Sequence, residues 1–234
     1  MNTMGKYRVV IPAAGQGKRM KAGVNKQFLY IANIPLLIHT LRVFEEDILC
    51  ESIILVVNKE EVEEVKSLLQ TYNIKKAEQL VSGGKERQQS VYEGLKQIEG
   101  NPIVLVHDGA RPFIRQPIIH ELVHIAESKG SVITATPVKD TIKKVQGQEV
   151  IQTIDRASLW AVQTPQAFRL EKILLAHQKA DEDGFEGTDD ASLIEFTGGT
   201  VFIVEGDYEN IKITSPEDLI FGDAIIAKRK DGKK

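Results

Sequence analysis

Cysteine is almost missing from this chain. Cys50 is the only one in 234 residues, which excludes an internal disulfide and any cysteine cage for a metal, and suits a buried thiol in a reducing cytosol. Surplus positive charge is missing as well: 30 Lys and Arg against 33 Asp and Glu leave a net charge of -3. With no overall basic field, neither nucleic acid nor an anionic membrane is expected as the main partner. Long apolar runs are also absent. Near the amino end the run over residues 9–14 stops at Gly15, too short for a signal-peptide core or a membrane span, so a cytoplasmic protein is expected. Internal repeats, low-complexity tracts and inter-domain linkers are lacking too, and one domain over residues 1–234 is the expectation. What is present is an ordinary globular composition, 42% hydrophobic and 27% charged, with enough apolar mass for a substantial core.

The most informative stretch is Ile11-Pro12-Ala13-Ala14-Gly15-Gln16-Gly17-Lys18-Arg19-Met20, followed by Asn25-Lys26-Gln27. A short apolar strand over residues 7–11 runs into small residues and two glycines, and the same loop then delivers Lys18, Arg19 and Lys26. Glycines let backbone N–H groups approach an anion closely, and cationic side chains neutralise charge that the amides cannot, so the loop reads as a polyphosphate cradle. A glycine turn carrying solvated cations is the plainer alternative. Two familiar phosphate loops are excluded. A P-loop requires four residues between its glycines and a hydroxyl after the lysine, whereas one residue separates Gly15 from Gly17 and Arg19 follows Lys18. A dinucleotide fingerprint requires a third glycine where Met20 stands, and an acid that residues 36–41 do not supply.

Downstream, Leu37, Leu41 and Phe44 recur at helical spacing, and residues 53–57 form a β-branched apolar run, the mark of a strand buried on both faces. Residues 60–72 read as an amphipathic helix, 79–81 as a strand ending in Ser82-Gly83-Gly84, 87–98 as a helix and 103–106 as a strand ending in His107-Asp108-Gly109-Ala110-Arg111-Pro112. Alternating strands and helices imply parallel βαβ units in an α/β three-layer sandwich with a mostly parallel, twisted sheet. Ligands in such sheets sit outside the carboxyl ends of the strands, which places the Gly15 loop, the Gly83-Gly84 turn and Asp108 with Arg111 on one edge.

Taken alone, Gly83 and Gly84 suit either a tight strand-to-helix turn or a ligand contact. Asp108 stands just past an all-apolar strand, where burying a carboxylate costs several kcal/mol unless a partner or metal offsets it. Arg111 is equally suited to be that partner or to bind substrate. Residues 131–137 give another strand. Residues 140–145 and 150–154 then form a hairpin around Gln146-Gly147-Gln148. An isolated two-stranded hairpin is only marginally stable, so the arm over 138–158 requires a surface to lie on, and a second subunit is the natural candidate. The chain returns through Trp160 to Gln166, a helix over 170–180, an acidic loop over 181–187, an N-capped helix start at Thr188-Asp189-Asp190-Ala191 and a last strand over 200–204. Ser215-Pro216-Glu217-Asp218 opens a final helix, and residues 228–234 are expected as a frayed, solvated tail. His39 and His107 lie in or beside apolar segments and read as structural histidines. Asp189-Asp190 could suggest a metal, but a helix start offers acids a macrodipole benefit without one.

Seen together, these segments resemble 2-C-methyl-D-erythritol 4-phosphate cytidylyltransferases. The resemblance rests on Pro12-Ala13-Ala14-Gly15-x-Gly17-x-Arg19-Met20 with Lys26-Gln27, Gly83-Gly84 with Arg87 and Ser90-Val91, and His107 to Pro112. It continues in Lys139-Asp140-Thr141, Leu159-Trp160 with Gln163-Thr164-Pro165-Gln166, Thr188-Asp189, and Asn210-Ile211-Lys212 with Pro216-Glu217-Asp218, in order over nearly the whole chain. One departure is Asn25, where many members have Pro before the loop lysine, a change expected to loosen the loop that presents Lys26.

The resemblance implies a Rossmann-like nucleotidyltransferase fold of the nucleotide-diphospho-sugar transferase type and a homodimer joined through the arm. It also implies transfer of CMP from CTP to 2-C-methyl-D-erythritol 4-phosphate with Mg²⁺, in non-mevalonate isoprenoid synthesis. Arg19, Lys26, Arg156 and Lys212 are then the catalytic cations. Ala13, Ala14, Gly15, Gly17, Gly84, Lys85 and Ser90 would hold CTP. Asp108, Arg111, Thr188 and Lys212 would hold the polyol phosphate, joined by Thr141 and Arg156 from the partner's arm, and Asp108 is the first side chain to test as a metal ligand. The nearest rival is a ribitol-5-phosphate cytidylyltransferase. A catalytically silent nucleotide-binding regulator is a second, and it would be expected to lack a loop cation such as Arg19 or Lys26.

Overall fold

The computed structural model describes residues 5–15 and 26–231. The chain opens with β1 (Tyr7–Pro12), a small hairpin of β2 (Tyr30–Ile31) and β3 (Ile34–Pro35), and helix α1 (Leu36–Glu45). There follow β4 (Cys50–Val57), α2 (Val62–Thr71), β5 (Gln79–Ser82), α3 (Arg87–Leu95) and β6 (Ile103–Val106). Next come α4 (Gln116–Lys129), β7 (Ser131–Pro137), the arm strands β8 (Ile142–Gln146) and β9 (Glu149–Ile154), and the long β10 (Trp160–Arg169). Helices α5 (Leu170–Asp183) and α6 (Asp190–Phe196), β11 (Phe202–Glu205) and α7 (Pro216–Asp231) complete it.

Seven strands form one sheet in the order β11-β7-β10-β6-β1-β4-β5. All run the same way except β10, which pairs antiparallel with both β6 and β7. The expected mostly parallel α/β sandwich is therefore observed. Side chains alternate across a strand, so Val9 and Ile11 of β1 pack with α1, α2 and α4 on one face, while Val10 packs with α3, α5 and α6 on the other. A third, smaller cluster seats α7 against Ile31, Leu36, Phe113 and Ile213. Fully burying each such Val, Leu, Ile or Phe stabilises the fold by roughly 1.5–3 kcal/mol.

Several segments differ from the expectation. Helix α4 has no counterpart among the expected elements; Pro117 sits in its first turn, where a missing N–H costs nothing. Helix α5 continues through the presumed acidic loop to Asp183 and stops at Gly184, which adopts the left-handed φ of 64°. The carboxyl tail is helical to Asp231 rather than frayed: Lys228 and Arg229 pair with Glu209, and Arg229 donates to the Phe113 carbonyl at 2.8 Å. The arm forms as expected, turning at Gly147 with φ 57°.

Candidate active site

The chain builds β4 and β5 on one side of β1 and then crosses back to place β6 on the other, so β1 and β6 flank the switch point where ligand clefts open. A cleft of ≈ 230 Å³ lies at their carboxyl ends, lined by Ala14, Gly15, Gln27, Gly84, Lys85, Arg87, Ser90, Asp108 and Lys212 among others. Residues 16–25, including Gly17, Arg19 and Asn25, lie outside the described residues. Lys26 opens the short turn Lys26–Phe28.

The segment after β1 and the Gly83-Gly84 turn meet directly. The Gly83 N–H donates to the Val57 carbonyl at 2.9 Å, carrying the turn after β5 across the end of β4. A Cβ on Gly83 would stand 2.5 Å from the Ala14 Cβ, so only glycine permits this approach. Beyond it, the Ser90 hydroxyl accepts the Gly84 N–H at 3.1 Å and donates to the Glu86 carbonyl at 3.0 Å, which shapes the wall from inside. Ala13 stands behind the cleft: its side chain is in the core and its N–H donates to Val56 O at 2.7 Å.

Opposite the turns stands Asp108, 7% exposed. Arg87 Nε lies 3.1 Å from one carboxylate oxygen, while Lys212 Nζ lies 2.7 Å and Arg111 Nε 3.7 Å from the other. Burial alone would raise the Asp108 pKa, but Arg87, then Lys212 and Arg111, outweigh it and hold the carboxyl well below the usual range. Arg111, expected as the partner or a substrate ligand, does pair with Asp108 but is the most distant of the three. Its guanidinium is turned to the Asn210 carbonyl at 2.8 Å.

The expected metal role of Asp108 meets a difficulty. Both carboxylate oxygens face cations, so a divalent ion there would confront three positive groups, and these residues do not fit a protein-held ion. Among the described residues, no cluster of three or more His, Cys, Asp or Glu could hold a metal.

Several residues that position the site carry no motif of their own. A bulge in β10 between Val162 and Gln166 turns Thr164 toward β6. The Asp108 N–H donates to Thr164 Oγ1 at 2.9 Å, Thr164 Oγ1 lies 3.2 Å from His107 Nδ1, and His107 Nε2 lies 2.9 Å from the Arg111 carbonyl. These partners assign the ring proton to Nε2 and make His107 a neutral, wholly buried strut, its pKa pushed down to about 4 by burial. His39 is likewise structural, bonded to the Ile31 carbonyl at 2.8 Å. Asn210 donates to Gln163 Oε1 and the Thr164 carbonyl, fixing the segment that presents Lys212.

Thr188 lies beside the cleft, in an adjoining recess of ≈ 250 Å³ that shares Glu86 and Arg87 with it. Thr141 and Arg156 are exposed on the arm and do not line the cleft of their own chain.

Glycine-bearing segments on the carboxyl edge of such a sheet, with cations gathered opposite, are the working parts of a nucleotidyltransferase, and fold and cleft assign the protein to that class. The family model for 2-C-methyl-D-erythritol 4-phosphate cytidylyltransferase (IspD) matches residues 7–228. The chain is 56% identical to the Bacillus licheniformis enzyme of that name over 224 residues, covering 96% of this chain and 97% of the relative. It is 58% identical to the Bacillus velezensis one over 221 residues, covering 94% and 95%. The crystal structure of 4-diphosphocytidyl-2C-methyl-D-erythritol synthase from Anaerococcus prevotii superposes with a TM-score of 0.84 at 32% identity, covering 95% of this chain and 96% of that one. The chain belongs to the 2-C-methyl-D-erythritol 4-phosphate cytidylyltransferase family.

Proposed function

We propose that the protein transfers CMP from CTP to 2-C-methyl-D-erythritol 4-phosphate, yielding 4-diphosphocytidyl-2-C-methyl-D-erythritol and pyrophosphate for non-mevalonate isoprenoid synthesis. The observation that carries this reading is the cation-ringed Asp108 sharing one cleft with Gly15 and Gly84. A phosphate oxygen of the polyol forms the new bond to the α-phosphorus of CTP, and the bond to the bridging oxygen of pyrophosphate breaks. A phosphate monoester has its second pKa near about 6, so the nucleophile is largely dianionic at neutral pH and requires no general base. That suits a cleft whose one flanking histidine is buried and neutral.

The obstacle is repulsion between two anions, and the remedy is positioning with charge neutralisation. Arg87, Arg111 and Lys212 outnumber Asp108 and Asp190 by one positive charge, and Lys212 stands at the cleft surface to receive the polyol phosphate. Gly15, Gly84 and Lys85 face the same space and would cradle the triphosphate, with Arg19 and Lys26 completing the charge at the α-phosphate.

Mg²⁺ is proposed to arrive with CTP, held by its phosphates and water, as this ion commonly is. The active unit is proposed to be a cytoplasmic homodimer in which the partner's Thr141 and Arg156 close the polyol side. Apolar side chains exposed on the arm, Val145, Val150 and Ile151, support that pairing. Pyrophosphate release from CTP, measured separately with 2-C-methyl-D-erythritol 4-phosphate and with ribitol 5-phosphate, tests the reading. Turnover is expected with the first. Preference for the second would make the protein a ribitol-phosphate enzyme, and release with neither would make it a silent nucleotide binder.

A further inference from the structure

Arg87 does not serve Asp108 alone. Its Nη1 lies 2.8 Å from Oδ2 of Asp190 while its Nε holds Asp108, so one guanidinium bridges two carboxylates. Asp190 is 1% exposed. Burial would raise its pKa, but Arg87 outweighs that and keeps it ionised. His177 Nε2 stands 3.5 Å from its other oxygen, with the imidazole stacked on Tyr92 at 5.3 Å between centroids.

The anchor is itself immobilised. Gln166 of β10 donates to Asp189 at 2.6 Å and accepts the Ala191 N–H at 3.0 Å, which pins the first turn of α6 on both sides of Asp190. Gln88 donates to the Phe185 carbonyl at 3.1 Å and accepts the Gly187 N–H at 2.9 Å, which ties the loop bearing Thr188 to α3.

We propose that Asp190 is a positioning residue for the polyol-phosphate side of the reaction: it holds Arg87 against the cleft wall so that Asp108 and Lys212 keep the geometry that receives the acceptor. This rests on the proposed function above. A free Arg87 has one carboxylate, Asp108, to follow, and it would follow it into the cleft, competing with Lys212 and with the acceptor's hydroxyls for that carboxylate. With Asp190 present, the guanidinium is stretched between two fixed points, and its aim is set by the sheet and α6 rather than by the ligand.

Steady-state kinetics of Asp190→Asn, Arg87→Gln and the double variant test this. Losing a buried ion pair at a binding wall is expected to raise the KM for the polyol phosphate about tenfold in Asp190→Asn. The KM for CTP should stay within about twofold. The double variant should be no worse than Arg87→Gln, because the two residues act as one unit. Asp190→Glu, which keeps the carboxylate, should recover most of the loss. Should Asp190→Asn fail to fold, Arg87→Lys, whose single ammonium cannot reach both carboxylates in the fork geometry, should show the same KM split. Equal rises in both KM values, a fall in kcat alone, unchanged kinetics or additive losses in the double variant would each overturn the positioning role. A wild-type enzyme that releases no pyrophosphate from the substrate pair would instead sink the proposed function.

Discussion

A carboxylate at the end of an apolar strand must find partners before the strand can be buried, and at Asp108 those partners became the site. This much was visible in the sequence, because a charged residue just past Ile103 to Val106, with only His107 between, breaks a pattern. Arg87 and Asp190 were not visible in the same way. Asp190 follows Asp189 in a helix-start pattern, and the capping rule that explains Asp189, whose side chain accepts the Ser192 N–H at 2.9 Å, hides the different task of its neighbour. His107 was legible as structural, and it carries a pH consequence. Its folded pKa, about 4, lies below the unfolded value of about 6.5, so its full contribution is present above about pH 6.5. As pH falls toward 4 the unfolded chain takes up a proton that the folded one refuses, and about 3 kcal/mol is lost. Urea denaturation of wild type and His107→Gln should show their stability difference moving by about that amount between pH 7 and pH 4. A constant difference would mean that the ring does not titrate as its burial requires.

Among the elements, those with a strong period or clear turn chemistry were read closely: β1, β4, β6, β7 and the arm. What escaped depends on partners distant in sequence. The antiparallel course of β10 and its bulge at Thr164 are set by β6 and β7 on either side, and no local spacing announces them. The end of α7 looked like a solvated charge run because the partner of Lys228 and Arg229, Glu209, comes from a different segment. The arm is the element proposed above to have a separable task. Among the described residues its two strands pair only with each other, and Val145 is 57% and Val150 56% exposed. Deleting residues 140–154 is expected to leave a folded, monomeric body that loses polyol-phosphate affinity while retaining CTP affinity. Sedimentation with calorimetric titration of each ligand checks this, and loss of CTP binding first would reverse the assignment of the arm to the acceptor side.

At the scale of the whole molecule, six strands share one direction, so their carboxyl ends gather every loop that matters on one edge, and β10 contributes its amino end to the same place. The switch point between β1 and β6 then decides where the cleft opens. That logic was readable from the alternation of strands and helices. The ring of cations was not, because Lys212 reaches Asp108 only after the chain has passed through β7, β10 and β11. Bringing two phosphates together at that ring is the central claim, and a crystal structure with CTP and 2-C-methyl-D-erythritol 4-phosphate bound tests it most directly. The triphosphate is expected along Gly15, Gly84 and Lys85, with the monophosphate in ion-pair contact with Lys212. A triphosphate seated elsewhere, or an acceptor phosphate with no contact to Lys212, would contradict it.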